Sequence, residues 1–564
     1  MSYDLVIRGA KVVDGTGMPA FVADVGVKGE RIAKIGRIET GAATEREIDA
    51  RGLVLSPGFI DVHTHYDAQL DWDPMASSSC WHGVTTVLAG NCGFTLAPAK
   101  PEDVPWLAGM LTRVEGMSPA ALAEGLRFSG GGFDDYWGRF DGKLGLNVGA
   151  YVGHCAVRRY VMGDDASRRT ATDAEIEAMK ELVRQAMREG AIGFSTSQVD
   201  LHVGEDGLEV PSNHASADEI VALCSVLTEF DRGAVQIIAG SFASGYSEAD
   251  RELILRMYEA SGRQVELAPV FPSAADPLNP QKVIEFVREA TANGARLHPQ
   301  FATNRGGLHV KLADTFVFDD MPAWREVMCL PEPARSEALA KADVRQRLAA
   351  DIESGAGKAI GLAWQNLEVE QVRDAKNSAL VGKLVSELAE EAGRAPIDCF
   401  LDLALSEDLQ TWFKMVIDEA RASYMDKITA EVMAEPWAMS GSSDGGAHLA
   451  TFVGSDYTTN LLTQFVPGTL SLEEAIFRMT GMPAIVHGLE GRGEIREGCY
   501  ADLVLFDPDR LAVGEIRLER DFPANSEHFV VDAEGYVATI VNGIISTEEG
   551  KATGALPGRI LRGC

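Results

Sequence analysis

The chain is short of basic charge: over 564 residues, 51 Lys and Arg stand against 84 Asp and Glu, a formal balance of −33. Nucleic acid and anionic membrane surfaces are polyanions, so both are excluded as expected partners, and a small-molecule substrate fits better. No apolar run approaches the ~18 uninterrupted residues of a spanning helix. The opening Met1-Ser2-Tyr3-Asp4 lacks the basic stretch and apolar core of a secretory leader. Eight cysteines, Cys80, Cys92, Cys155, Cys224, Cys329, Cys399, Cys499 and Cys564, are scattered without a Cys-x-x-Cys, which excludes a zinc ribbon and a redox motif. A cytoplasmic protein with reduced thiols is the expectation. Ser442 and Ser443 are accompanied by no matched His-Asp order, so serine nucleophile chemistry is discounted.

What is present begins with Gly58-Phe59-Ile60-Asp61-Val62-His63-Thr64-His65-Tyr66. Positions i and i+2 of a strand share a face, so both imidazoles can reach one divalent ion. Alone, a His-x-His also fits a solvated edge strand. Far along the chain, Trp437 to Gly446 reads as a short strand delivering Asp444 into a Ser-Asp-Gly-Gly loop. Metal-assisted hydrolysis needs such a carboxylate to touch the ion and take a proton from water. Between them, the β-branched run Gly83 to Ala89 leads into Asn91-Cys92-Gly93, whose thiolate could join the site or stay an inert buried cysteine.

Residues 1 to about 56 and about 490 to 545 read as short strands with glycine turns, and the middle alternates strand-like with helical runs. Thr172 and Glu175 read as the cap of a helix that stops near Gly190. The expected architecture is α/β: a (β/α)8 TIM-like barrel over 57–489, with a small β-sandwich built from both ends, 1–56 and 490–564. Two stretches, about 99–147 and 306–395, are too long for ordinary barrel connections and could roof the site or join copies of the chain in a homo-oligomer.

These motifs, in this order, resemble the amidohydrolase superfamily and, within it, the N-acyl-D-amino-acid deacylases (D-aminoacylases). Asn91-Cys92-Gly93, Val152-Gly153-His154, Gly190-Ala191-Ile192-Gly193-Phe194-Ser195-Thr196 and the tail Thr553 to Arg559 are similar to the deacylase branch in particular. The resemblance implies a barrel with a satellite β-domain, hydrolysis of an N-acyl amino acid by metal-activated water, and metal ligands at His63, His65, Cys92 and Asp444. It also implies histidines after the fifth and sixth barrel strands. The candidate strands Gly233–Gly240 and Gln264–Val270 contain none.

Three substitutes remain open. His298 ends another strand-like run, Glu266 stands at the depth of the sixth strand, and water can leave a three-residue site of His63, His65 and Asp444. The last is favoured, with one zinc ion per chain and Cys92 near it without being obligatory; another divalent metal would also suit. Asp444 is the expected proton acceptor. His154 is a candidate to stabilise the oxyanion or bond the acyl group. A substrate carboxylate would meet a repulsive field, so a local guanidinium is expected, Arg305 first and Arg158 with Arg159 second. A cyclic amide or lactone hydrolase on the same scaffold is the alternative, and a non-catalytic binding protein a further one.

Overall fold

The computed structural model describes residues 2–204, 207–273, 276–304, 307–313, 315–354 and 362–562. It is a mixed α/β protein whose functional end is set by eight parallel strands: β1 Phe59–Asp61, β2 Val84–Ala89, β3 Asn147–Ala150, β4 Gly193–Ser197, β5 Ala234–Ile238, β6 Val265–Leu267, β7 Leu297–Phe301 and β8 Met439–Ser440. β1 pairs with β2 and β2 with β3. Only Tyr151 interrupts β3 before Val152–Gly153 continues it and pairs with β4. From there β4 to β8 pair in chain order. A parallel bridge, Thr64 to Gly445, joins the segments just past β1 and β8.

Helices fill the connections. The second of two α-helices between β3 and β4 covers Asp173–Arg188, where the Thr172 hydroxyl accepts from the Glu175 N–H and the Glu175 carboxylate accepts from the Thr172 N–H, as that spacing leads one to expect. Helices Ala217–Ser225, Glu248–Ser261 and Asn279–Ala292 follow β4, β5 and β6. Their apolar sides and the fully buried strands share one large core that includes Phe59, Val87, Phe194, Val235 and Leu297.

Both chain ends meet in one nine-stranded sheet. Val54–Pro57 pairs antiparallel with Leu503–Phe506, so strands from residues 3–57 lie on one side of that seam and those from 536–552 on the other. Val54–Pro57 runs straight into β1, which fixes where the two histidines begin. Residues 512–534 depart from the expected C-terminal half: they leave this sheet as the hairpin Ala512–Phe522 and Ser526–Glu534, and Phe529 N–H donates to Leu449 O at 2.7 Å in the loop after β8.

The first long connection holds helices Val104–Val114, Pro119–Gly125 and Phe133–Trp137. The second does not stop near residue 395. Trp412–Met415 pairs with His309–Val310 and Leu367–Gln371 in a small antiparallel sheet. This excursion has its own core around Phe318, Trp324, Phe400 and Phe413, because a segment this long must bury its own apolar residues to be ordered. No helix among the described residues is long and apolar enough to cross a membrane.

Candidate metal centre

His63 and His65 stand just past the end of β1, on one face, with ring centroids 5.4 Å apart. Cys92 is brought to them by a turn past β2 that only its own sequence can make. Asn91 Nδ2 donates to Leu88 O at 2.8 Å and Thr64 O at 3.2 Å, tying this turn to the β1 segment. Cys92 takes a left-handed φ of 56°, and its N–H donates to the buried Gln236 Oε1 on β5 at 2.7 Å. Gly93 has φ +80°, and a Cβ there would stand 3.2 Å from Thr196 Cα. The loop after β8 presses equally close. At Gly446 (φ +91°) a Cβ would lie 2.5 Å from the His65 carbonyl carbon, which accounts for the Gly-Gly that follows Asp444.

The ligand atoms of His63, His65 and Cys92 all lie within 4.8 Å of one another, and all three residues are buried. His63 Nε2 is 3.3 Å from Cys92 Sγ and 3.5 Å from Asp444 Oδ1; His65 Nε2 is 3.6 Å from the same Asp444 oxygen. Two imidazoles, a thiol and a carboxylate on one point suit zinc or a similar borderline ion. The thiol is as close to His63 as Asp444 is, so Cys92 groups with the two histidines and Asp444 adjoins both rings. Burial pushes the Cys92 thiol up, but the His63 and His65 imidazoles outweigh it and bring it down to about 7. Burial likewise opposes charge on His63, yet Cys92 and Asp444 raise it to about 9. Asp444 is held below the usual carboxylate range: burial would raise it, and the two imidazoles overcome that.

The cluster lies at the floor of a cavity of about 280 Å³. Where histidines were expected past β5 and β6, the wall is Ile238 and Pro269, extended by Phe242 and Phe271, whose rings meet edge-on at 5.9 Å. Neither substitute ligand reaches this floor. His298 is the second residue of β7, toward the opposite end of the strand, and its ring nitrogens meet Trp437 O at 3.1 Å and Gln264 Oε1 at 2.6 Å. Glu266 is consumed by Tyr151 Oη at 2.8 Å, His487 Nε2 at 2.9 Å and Gln300.

His154 is also turned away: it is fully buried, with Nδ1 2.9 Å from Thr196 Oγ1 and Nε2 3.0 Å from Glu219 Oε1. Arg158 is buried against the same Glu219 and donates to Arg169 O at 2.8 Å, so it offers no clamp to the cavity. Arg159 is paired with Asp103 and Asp164. Arg305 lies outside the described residues. Among the described residues, the guanidinium on the cavity wall is Arg113, which donates to Thr315 O at 3.3 Å and pairs with Asp319.

Three polar residues here were not singled out by sequence reasoning. His202, in the loop past β4, lines the cavity with Nδ1 2.7 Å from Ser197 Oγ; burial and the other imidazoles push it down to about 3. His448, past β8, is stacked on Phe316 with centroids 4.0 Å apart, and burial lowers it to about 4. Glu115 ends the Val104–Val114 helix beside His65; burial raises its carboxyl and the His65 imidazole opposes that rise. Each is a lone residue in a loop or at a helix end, without a motif to signal it.

Parallel strands that carry nitrogen, sulphur and carboxylate donors to one end of the fold define a class, the metal-assisted hydrolases of α/β type. Within it the chain belongs to the amidohydrolase family, whose model matches residues 46–546. It is 29% identical to the D-aminoacylase of Alcaligenes xylosoxydans xylosoxydans, over 99% of this chain and 97% of that one. It is also 29% identical to the N-acyl-D-aspartate deacylase of the same organism, over 99% and 95%. Among solved structures it is similar to the N-acyl-D-glutamate deacylase of Bordetella bronchiseptica complexed with zinc and a phosphonate inhibitor, with a TM-score of 0.69, 25% identity and full coverage of both chains.

Proposed function

We propose that this protein is a metal-dependent deacylase that hydrolyses the amide of an N-acyl (D-)amino acid or a similar small amide. The reading is carried by one observation, the cluster of His63, His65 and Cys92, with Asp444 3.5 and 3.6 Å from the two imidazoles, lining a 280 Å³ cavity. It includes a (β/α)8 barrel for the eight parallel strands, a β-sandwich satellite from both chain ends and one zinc ion per chain. A cytoplasmic setting belongs to it as well.

When bound, the ion supplies Lewis acidity that acidifies a water and polarises a carbonyl. His63, His65, Cys92 and Asp444 hold it. Asp444, kept ionised and 30% exposed toward the cavity, takes the proton of the attacking water and returns it to the leaving nitrogen. His202 takes the carbonyl-facing role that His154 cannot. Ser197 Oγ accepts from Val199 N–H at 3.3 Å and is bonded to His202 Nδ1 at 2.7 Å; in the tautomer where Ser197 donates to Nδ1, the His202 Nε2–H is the donor for the developing oxyanion. Arg113, which lines the cavity while paired with Asp319, is the guanidinium that a substrate carboxylate would meet.

The test is a rate comparison on N-acetyl-D-amino acids, their L forms, hydantoins and lactones, with metal restored to the chelated protein. Turnover of the D-acyl series at one zinc equivalent is the expected result. Hydantoin or lactone turnover alone would move the reading to the cyclic-substrate alternative, and metal retention without turnover of any amide would leave a binding protein.

A further inference from the structure

The helix Val104–Val114 belongs to the long excursion after β2, yet its end enters the metal centre. Arg113, Val114 and Glu115 all line the cavity. Glu115 N–H donates to Leu111 O at 3.0 Å, and Glu115 O accepts from His448 N–H at 2.5 Å, so the backbone at this point is held from both sides. The side chain is 3% exposed. One of its oxygens lies 3.1 Å from His65 Nδ1 and the other 3.9 Å from His448 Nε2. His65 Nδ1 is itself buried and makes no hydrogen bond of normal geometry among the described residues, and the Glu115 oxygen is the acceptor within reach of it. A buried carboxylate and a buried ring nitrogen, each costly alone, are therefore placed on one another.

We propose that Glu115 is a positioning residue of the metal centre: its carboxylate takes the Nδ1–H of His65 and thereby fixes the tautomer whose bare Nε2 faces Asp444. This rests on the reading of His63, His65, Cys92 and Asp444 as a metal site. A neutral imidazole binds a metal through one nitrogen only when the proton resides on the other, and a carboxylate on that proton sets the ring's orientation and raises its basicity. The 99–147 excursion is thus part of the metal centre as well as its roof, because the residue that orients a ligand from β1 is carried by a helix 50 residues further on. Through His448 and its stacked Phe316, the same carboxylate also touches the loop after β8 and the second excursion.

The test is zinc affinity of the metal-free protein, read by competition with a chromophoric chelator, for wild type, Glu115→Gln and His65→Ala. Glu115→Gln is expected to bind zinc about 10- to 100-fold more weakly, the range for losing such a partner, while the metal-free variant melts at the wild-type temperature. Wild-type affinity in Glu115→Gln, with His65→Ala impaired, would overturn the proposal. Should Glu115→Gln fail to fold, nitrogen-15 spectra of zinc-loaded wild type decide: a protonated Nδ1 on His65 is expected, and a bare Nδ1 overturns it. Absence of deacylase turnover would defeat the functional reading and leave both measurements standing.

Discussion

Strands β1, β2 and β8 lead into His63, His65, Cys92 and Asp444, whereas β5 and β6 lead into a wall of Ile238, Pro269, Phe242 and Phe271. The two regions belong to one set of parallel strands and differ in what their ends carry. The floor residues are held by backbone: the Asn91 tether, the Gln236 bond to Cys92 N–H and the tight approach at Gly446 leave those side chains little freedom. The wall is mostly apolar, and its polar members, His202, His448, Arg113 and Glu115, come from loops and the end of a helix. The candidate metal donors sit where the backbone is most closely tied, and the polar groups around them are supplied by connections.

The largest way to break this contrast is at the floor. His63→Ala or His65→Ala removes one of two nitrogens on a single ion, so metal content and activity should both fall to background, by elemental analysis and turnover. Full occupancy in either variant would mean that the floor is not where the ion is held. Asp444→Asn probes the same region more narrowly, since the amide still offers an oxygen but accepts no proton. Turnover should drop by about 10² to 10⁴ with metal largely retained; wild-type rates would place the proton acceptor elsewhere.

Much of the floor was legible in the sequence because its residues are set by period and by turn chemistry. His63-x-His65 has the strand spacing, Asn91-Cys92-Gly93 is the turn that a left-handed Cys92 and a crowded Gly93 demand, and Gly445-Gly446 marks the close approach beside Asp444. The absence of histidine from β5 and β6 was legible too, but its consequence was not. His298 and Glu266 have the right chemistry in strand-like runs, and only the register shows that His298 sits toward the far end of β7 and that Glu266 is bonded to Tyr151, Gln300 and His487. His154 and Arg158 converge on Glu219, 65 and 61 residues away, a pairing that local pattern does not encode. Glu115 was invisible for the opposite reason: it closes an ordinary amphipathic helix, and tertiary folding alone carries it to His65.

On the wall, the contrast is sharpened by His202→Gln, which keeps a polar side chain but removes the imidazole that lines the cavity. The rate constant kcat should fall by about 10² to 10³, the scale for losing one oxyanion donor, with zinc affinity unchanged because His202 is outside the donor cluster. A loss of zinc from this variant would erase the distinction between floor and wall.

The smallest effect concerns what holds the floor loop rather than what it does. The segment that carries Asp444 ends at Asp456, just before the helix Tyr457–Asn460. Asp456 is 6% exposed; burial raises its carboxyl to about 6, and the Asn460 amide, 2.7 Å away, only partly opposes the shift. A carboxyl whose folded pKa lies above its unfolded value near 3.8 binds an extra proton in the folded state. The stability it contributes is therefore full below about pH 4 and lost as pH rises through about 6. Asp456→Asn retains the shape and cannot ionise, so relative to wild type it should gain on the order of 1–3 kcal/mol above pH 7 and nothing at pH 4. Denaturant unfolding of both proteins from pH 4 to 8 reads the difference directly; parallel curves across that range would show that Asp456 keeps an ordinary carboxyl and that the floor loop is anchored without a buried proton.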